Sequence, residues 1–202
     1  MTNHAHTKEV KSVALADLKR QQIEWARESH IEMERPDYTS KAEGNLFAPL
    51  SKECIADLGR GHGSELERRS EMTPPKFHAL HSSSALVANV FDYWRHLDLS
   101  ILTRGLNSPQ QLVRMEIESQ FLTGYGFPAN LDVALWSAED SWVLAVESKF
   151  CEPFGPSKKG LKIGYVPVGE DSAWKKIGLD KCDRLARQIQ ANPEHFGYLD
   201  VP

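Results

Sequence analysis

Cysteine is scarce in this 202-residue chain: Cys54, Cys151 and Cys182 are odd in number, far apart and free of any Cys-x-x-Cys spacing. Neither a disulfide framework nor a structural zinc site is indicated, and the three read as reduced, mostly packed thiols. Long apolar runs are missing as well. No stretch approaches the ~18 residues that suggest a membrane span, and the polar start from Met1 to Lys11 lacks the apolar segment of a secretory signal. The expectation is a cytoplasmic protein with no membrane partner. Nor is there an excess of positive charge. A net charge of −4 removes the simplest footprint of a nucleic-acid binder, a basic coat. Gly61-His62-Gly63 lacks the preceding strand and the spacing of a phosphate-cradling loop, so nucleotide binding is not indicated. No internal repeat or low-complexity tract is present.

What remains is a composition of 41% hydrophobic and 26% charged residues, that of an ordinary globular chain able to bury one sizeable core. Its charge is unevenly spread. From Lys149 to Arg187 there are nine Lys or Arg against five acids, a local balance of +4, so the rest of the chain carries −8.

Apolar residues in loose helical spacing predict a helix over Val10 to Met33, stopped at Arg35-Pro36. Residues Pro36 to Pro75 contain a short apolar clamp at Leu46 to Leu50 and a short helix over Ser51 to Leu58, and nothing there reads as a strand. A stronger helix is predicted over Ser83 to Leu97, opened by a serine cluster that can cap it and striped by Leu86, Val90, Trp94 and Leu97. His78 and His81, just before it, suit packed or capping roles better than ligation. Val113 to Phe121 alternates apolar and polar residues, the period-two pattern of a strand. Two further β-rich runs, Asn130 to Trp136 and Trp142 to Phe150, flank Ser-Ala-Glu-Asp-Ser and read as a hairpin. A final amphipathic helix is predicted from Trp174 to Ala191, with Cys182, Leu185, Ala186 and Ile189 on its inner stripe.

Chemistry concentrates in the hairpin. Side chains two apart on a strand share a face, so Glu147 and Lys149 project together from an otherwise apolar run, while Ser148 faces the other way. Asp132 sits in the preceding strand between Leu131 and Val133. Charges inside such apolar strands are costly to bury unless paired or bound to a metal. Two carboxylates converging from adjacent strands offer oxygen ligands to a hard cation, which suits Mg²⁺ or Mn²⁺.

Asn130-Leu131-Asp132, then a hairpin, then Glu147-Ser148-Lys149, resembles the signature of the PD-(D/E)XK, restriction-endonuclease-like nucleases. Further stretches, among them Leu80 to Leu86, Phe91-Asp92-Tyr93-Trp94 and Glu147 to Phe154, resemble a bacterial branch of that superfamily. The resemblance spans roughly residues 40 to 200. It implies an α/β fold: a restriction-endonuclease-like core of helix, three-strand meander and helix over residues 76–202, with an N-terminal helical extension over 1–75. It also implies a further core strand after the second helix, which the sequence does not show before Pro202, so a C-terminally truncated sheet is expected. Asp132 is preceded by Asn-Leu where the family has proline.

By the same resemblance the chain is a metal-dependent endonuclease acting on DNA. Asp132 and Glu147 hold Mg²⁺ or Mn²⁺, the carbonyl of Ser148 completes the shell, and Lys149 positions the attacking water. Many members use one more acid. Glu118 is favoured because it lies nearer the turn that leads to Asp132; Glu116 on the same strand, Glu65 after the Gly-rich turn and Glu152 past Lys149 are the other candidates. The basic residues Lys158, Lys159 and Lys162, and the helix face Lys181 and Arg184, are candidates for tracking a phosphate backbone, although charge on a helix is equally explained as a solvated face. A homodimer is compatible with cutting both strands of a duplex. The competing reading is a catalytically idle member that binds nucleic acid or a protein partner, with Asp132, Glu147 and Lys149 reduced to a structural charge pairing.

Overall fold

The computed structural model describes residues 2–60, 65–68, 70–122, 128–150, 161, 172–176 and 178–193, with backbone alone for 2–12 and 173. Glu152, Lys158, Lys159, Lys162 and Cys151 lie outside the described residues, as do Gly61-His62-Gly63-Ser64. Two compact units divide the chain, residues 1–154 and 155–202.

The first unit opens with helix α1 (Thr2–Glu28). It ends five residues before the predicted stop, for a local reason. His30 takes a left-handed φ of 56°, and the amides of Ile31 and His30 donate to the carbonyls of Ala26 (2.9 Å) and Arg27 (3.1 Å), the paired bonds of a Schellman cap. Beyond the cap, β1 (Met33–Arg35) pairs antiparallel with β2 (Tyr38–Thr39), and Pro36-Asp37 is the turn between them. The expectation that nothing in the stretch after Pro36 is a strand is therefore corrected. Strands this short carry too little periodicity to register as a pattern.

Helix α2 (Lys52–Arg60) is capped by Ser51, whose Oγ accepts from the Cys54 amide at 3.0 Å. Helix α3 (Ser83–Phe91) is capped by Ser82, which accepts from the Ala85 amide at 3.2 Å, and continues as a 3₁₀ turn over Asp92–His96. The serine cluster caps as its sequence suggested. A short α4 (Ser100–Gly105), which the sequence reading did not include, leads into the sheet. The sheet is an antiparallel meander of β3 (Leu112–Phe121), β4 (Ala129–Ser137) and β5 (Val143–Val146), in the order β3-β4-β5. Helices α2, α3 and α4 pack on it. Leu58, Phe77, Val87, Leu112, Ile117, Val133 and Leu135 are essentially removed from water and form the core between these layers. Cys54 is buried among them, and burial, followed by the nearby Asp92 charge, pushes its thiol up to about 12, so it is an inert packed thiol.

In the second unit the predicted single helix from Trp174 to Ala191 is two helices, α5 (Ala173–Lys176) and α6 (Asp180–Ala191). Gly178 at φ 76° closes α5, with the Leu179 amide donating to the Trp174 carbonyl at 2.8 Å. The inner stripe of α6 also differs from expectation. Asp183, Ala186 and Ile189 are buried, whereas Leu185 is 48% exposed. Asp183 can occupy an inner position because Arg187 Nε donates to its Oδ2 at 2.9 Å.

Among the described residues no helix is long and apolar enough to cross a membrane.

Candidate active site

The register of the sheet brings the predicted acids to one level. Ile117 pairs with Val133 and Ser119 with Leu131, so Glu118 lies level with Asp132 across the β3–β4 ladder. Val133 pairs with Val146, so the next step of the same register sets Glu147 beside Asp132 on the other side. Glu118 and Asp132 thus form a row across β3 and β4, and Glu147 follows at the end of β5. β5 ends at Val146, one residue before Glu147, and the Ser148 amide turns in to donate to Asp132 Oδ2 at 2.5 Å. The strand expected to run on to Phe150 thus stops short of Glu147 and Lys149, yet the two still come together: Lys149 Nζ donates to Glu147 Oε1, with both side chains partly exposed.

Glu118 is the least ordinary residue in the row. It sits mid-strand with φ 52°, the left-handed region that a non-glycine residue adopts at a cost of about 1–2 kcal/mol. The β3–β4 ribbon bends sharply around it. Phe121 pairs with Ala129, seven residues from Trp136, a distance of ~23 Å in a flat strand, yet the Phe121 and Trp136 rings stack with centroids 5.5 Å apart. The turned backbone points Glu118 to the start of α3, where Ser84 Oγ donates to its Oε1 at 3.4 Å. Burial, then the charges of Asp132 and Glu65, push its carboxyl up to about 7; Ser84 and Lys76 act in the opposite direction without cancelling them. Near neutral pH, Glu118 can therefore hold or release a proton.

Glu65 reaches this cluster from the segment before α3. It is 7% exposed, its carbonyl accepts from the Phe77 amide at 3.1 Å, and Lys76 Nζ donates to its Oε1 at 3.0 Å. Glu116 has different surroundings from Glu118, contrary to the expectation from period two that the two share a side. Its carboxylate is engaged by the Arg114 guanidinium, the Ser119 hydroxyl at 2.8 Å and the Trp136 indole at 3.3 Å, while the left-handed turn at Glu118 breaks the alternation between them. Lys181 and Arg184 lie on the exposed face of α6. His78 Nδ1 donates to the Thr39 carbonyl at 3.1 Å, the packed role expected of it.

Sequence reasoning passed over the group that supports this row. Asp57, 4% exposed on α2, accepts from Arg95 Nη2 at 2.7 Å, from the Ile117 amide at 3.1 Å and from Arg60. Arg95 also donates to Asp92 Oδ1 and to the Met115 carbonyl, each at 3.1 Å. α2 and the 3₁₀ turn after α3 are thereby tied to β3 immediately before Glu118. The available signal was an acid at the i+3 position from Cys54 and beside Leu58, on the inner stripe of a short helix.

Comparison with known families matches residues 8–192 to the family described as Restriction Endonuclease associating with ARP. The chain belongs to that family. No curated protein and no solved structure matches it. Membership links the chain to restriction-endonuclease biology, and raises the question of a metal. Oxygen donors of the kind a hard divalent cation takes are present: the carboxylates of Asp132 and Glu147, and the buried side-chain carbonyl oxygen of Asn130, two residues before Asp132, which has no hydrogen-bond partner among the described residues. Among the described residues, however, no group of three or more His, Cys, Asp or Glu is already arranged to hold a metal ion. A cation would have to draw the acids closer.

Proposed function

We propose that this chain is a metal-dependent nuclease of the PD-(D/E)XK superfamily, hydrolysing phosphodiester bonds in DNA in the cytoplasm. The observation that carries the reading is Glu118 level with Asp132 across β3 and β4, with Glu147 just past the end of β5 and Lys149 beside Glu147, in a chain of a restriction-endonuclease family. In this reading residues 76–202 supply the nuclease core and 1–75 its extension.

Asp132, Glu147 and the Ser148 carbonyl would hold Mg²⁺ or Mn²⁺. The ion, when bound, supplies positive charge to the phosphodiester and lowers the pKa of water. Lys149 orients the attacking water by hydrogen bonding and offsets the charge that grows on the phosphoryl oxygens. Glu118, poised near neutrality, accepts a proton from that water or steadies the cation according to its protonation state. The Ser148 amide donates to Asp132 Oδ2 and so restrains the carboxylate. Lys181 and Arg184 are proposed contacts for the phosphate backbone.

The test is conversion of supercoiled plasmid to nicked circles by the purified protein with Mn²⁺ or Mg²⁺. Nicking is expected to fall at least about 100-fold in Asp132→Ala and in Lys149→Ala, as for removal of a group that stabilises transition-state charge. Folded wild-type protein that leaves plasmid and single-stranded DNA intact with either metal rejects the enzyme. The idle reading then stands, and the Lys149–Glu147 pairing, which satisfies both charges internally, is the observation that favours it.

A further inference from the structure

A cavity of about 560 Å³ opens between α1, the 3₁₀ turn at Ala42–Asn45 and the start of α3. That falls within the roughly 300–1,000 Å³ of small-molecule sites. No residue of its wall takes part in the chemistry proposed above. Leu18, Ile31, Leu80 and Leu86 make much of the wall apolar, and Trp25 and Phe47 add two rings that are 51% and 93% exposed. Among the described residues of the wall, Glu43 is the one charged group. With no cation to attract a phosphate or carboxylate, the cavity suits a ligand that is uncharged.

Two features of the wall exceed what folding requires. The ring of Phe47 stands in water while its backbone is pinned: its amide donates to Asn89 Oδ1 at 2.8 Å, and Asn89 Nδ2 donates to the carbonyls of Asn45 at 2.7 Å and Ala85 at 3.0 Å. A ring held out on a fixed backbone loses little freedom when it meets a flat partner. The second feature is Gln22. Its Nε2 donates to the Leu80 carbonyl at 3.2 Å, whereas its Oε1 is buried with no hydrogen-bond partner among the described residues. Buried polar atoms are nearly always paired, so the wall holds an acceptor in want of a donor, together with the Glu43 carboxylate and the Gln21 amide.

The chain itself joins this cavity to the candidate active site. Phe150, in the wall, directly follows Lys149. Ser82 is also in the wall, while Ser84, two residues on, donates to Glu118. The start of α3 therefore borders the cavity with one serine and the acids with another.

We infer that the cavity takes one unpaired nucleobase of the DNA substrate, stacked against the rim aromatics Trp25 and Phe47 and donating hydrogen bonds to the acceptors of the wall. This rests on the nuclease reading of the neighbouring site. A nucleobase meets each demand: it is flat and aromatic, it is uncharged, and its edge carries N–H donors. Drawing a base out of the stack costs least where the base is already unpaired, so the preferred substrate is DNA with an unpaired base close to the cut.

The experiment measures binding of the full 202-residue protein, by fluorescence anisotropy with CaCl₂ in the buffer, to a short duplex with one unpaired cytosine and to its fully paired counterpart. The wild type is expected to bind the first about tenfold more tightly, the affinity equivalent of one base–aromatic stacking contact. Phe47→Ala, which removes a ring that lies outside the core, is expected to lose that preference, and Phe47→Tyr to keep it. With 5-iodocytosine at the unpaired position, irradiation should crosslink the DNA to peptides carrying Trp25 or Phe47. Equal binding of the two duplexes by the wild type, a preference that Phe47→Ala retains, or crosslinks confined to other peptides overturns the base pocket and leaves the nuclease reading in place. Absence of binding to either duplex overturns both.

Discussion

Asp57, buried, and Glu118, half-buried, are two carboxylates at the middle of β3, Asp57 through the bond it accepts from the Ile117 amide and Glu118 as the next residue along the strand. Around Asp57 every demand is met. Two guanidinium groups and a backbone amide face it, and the same Arg95 reaches on to Asp92 and the Met115 carbonyl. Among the described residues, the groups that act on Glu118 are a serine hydroxyl at 3.4 Å and two more acids, with Lys76 as a partial offset. A fully compensated buried charge holds elements in place. An under-compensated one costs stability and is retained only where something else is gained, which is the thermodynamic outline of a binding or catalytic site.

That contrast can be broken or sharpened by substitution. The largest effect is expected for Asp57→Ala, which leaves the buried Arg95 with Asp92 as its one remaining carboxylate partner among the described residues and orphans the Ile117 amide. Urea denaturation should show a loss of about 3–5 kcal/mol, and a loss below 1 kcal/mol would remove Asp57 from its structural role. Glu118→Gln should act in the opposite direction. Because its folded pKa of about 7 lies above the unfolded carboxylate value, native Glu118 binds a proton more tightly than the unfolded chain, so its contribution falls as pH rises from about 4.5 to 7 and stays low above that. The glutamine variant is therefore expected to be more stable than wild type by about 2 kcal/mol at pH 8, after allowance for solvent screening, with the difference closing by about pH 4.5. Equal stability at both pH values would show that Glu118 is not strained electrostatically.

Smaller effects separate the two carboxylates further. Mn²⁺ at ten times its dissociation constant should stabilise the wild type by about 1.4 kcal/mol in thermal melts. The gain should shrink in Glu118→Gln and disappear in Asp132→Ala, whereas any Asp57 variant that folds should keep it. Least of all, Arg60→Ala is expected to cost under about 1 kcal/mol, since Arg60 reaches Asp57 from solvent and Arg95 remains. A cost equal to that of Asp57→Ala would mean that Arg60, and not Arg95, is the partner that matters.

Much of this was legible in the chain. Ser82 as the cap of α3, the alternation of β3, the hairpin around Ser-Ala-Glu-Asp-Ser and the pairing of Glu147 with Lys149 are local consequences of residue type and spacing. In three of the places where local reading failed, a single residue had left the expected backbone region. His30 ended α1 early, Gly178 split the last helix, and Glu118 left the alternation that tied it to Glu116. A positive φ at a histidine or glutamate has no signature in composition or period, because the surrounding structure and not the residue's own preference imposes it.

The sequence by itself determined the three strands of the meander and which residues in and beside them are acids, because pleat periodicity and the cost of burying charge act over two to eight neighbouring residues. Only the tertiary structure decided which acids meet. Glu65 lies more than fifty residues before Glu118, and their shared field, the Lys76 contact that tempers it, and the Asp57–Arg95 brace behind it all arise from packing α2, α3 and the segment between them onto one sheet. Electrostatic coupling depends on distance in space, and distance in space between remote segments is set by the core that Leu58, Phe77, Val87, Ile117 and Val133 close between them.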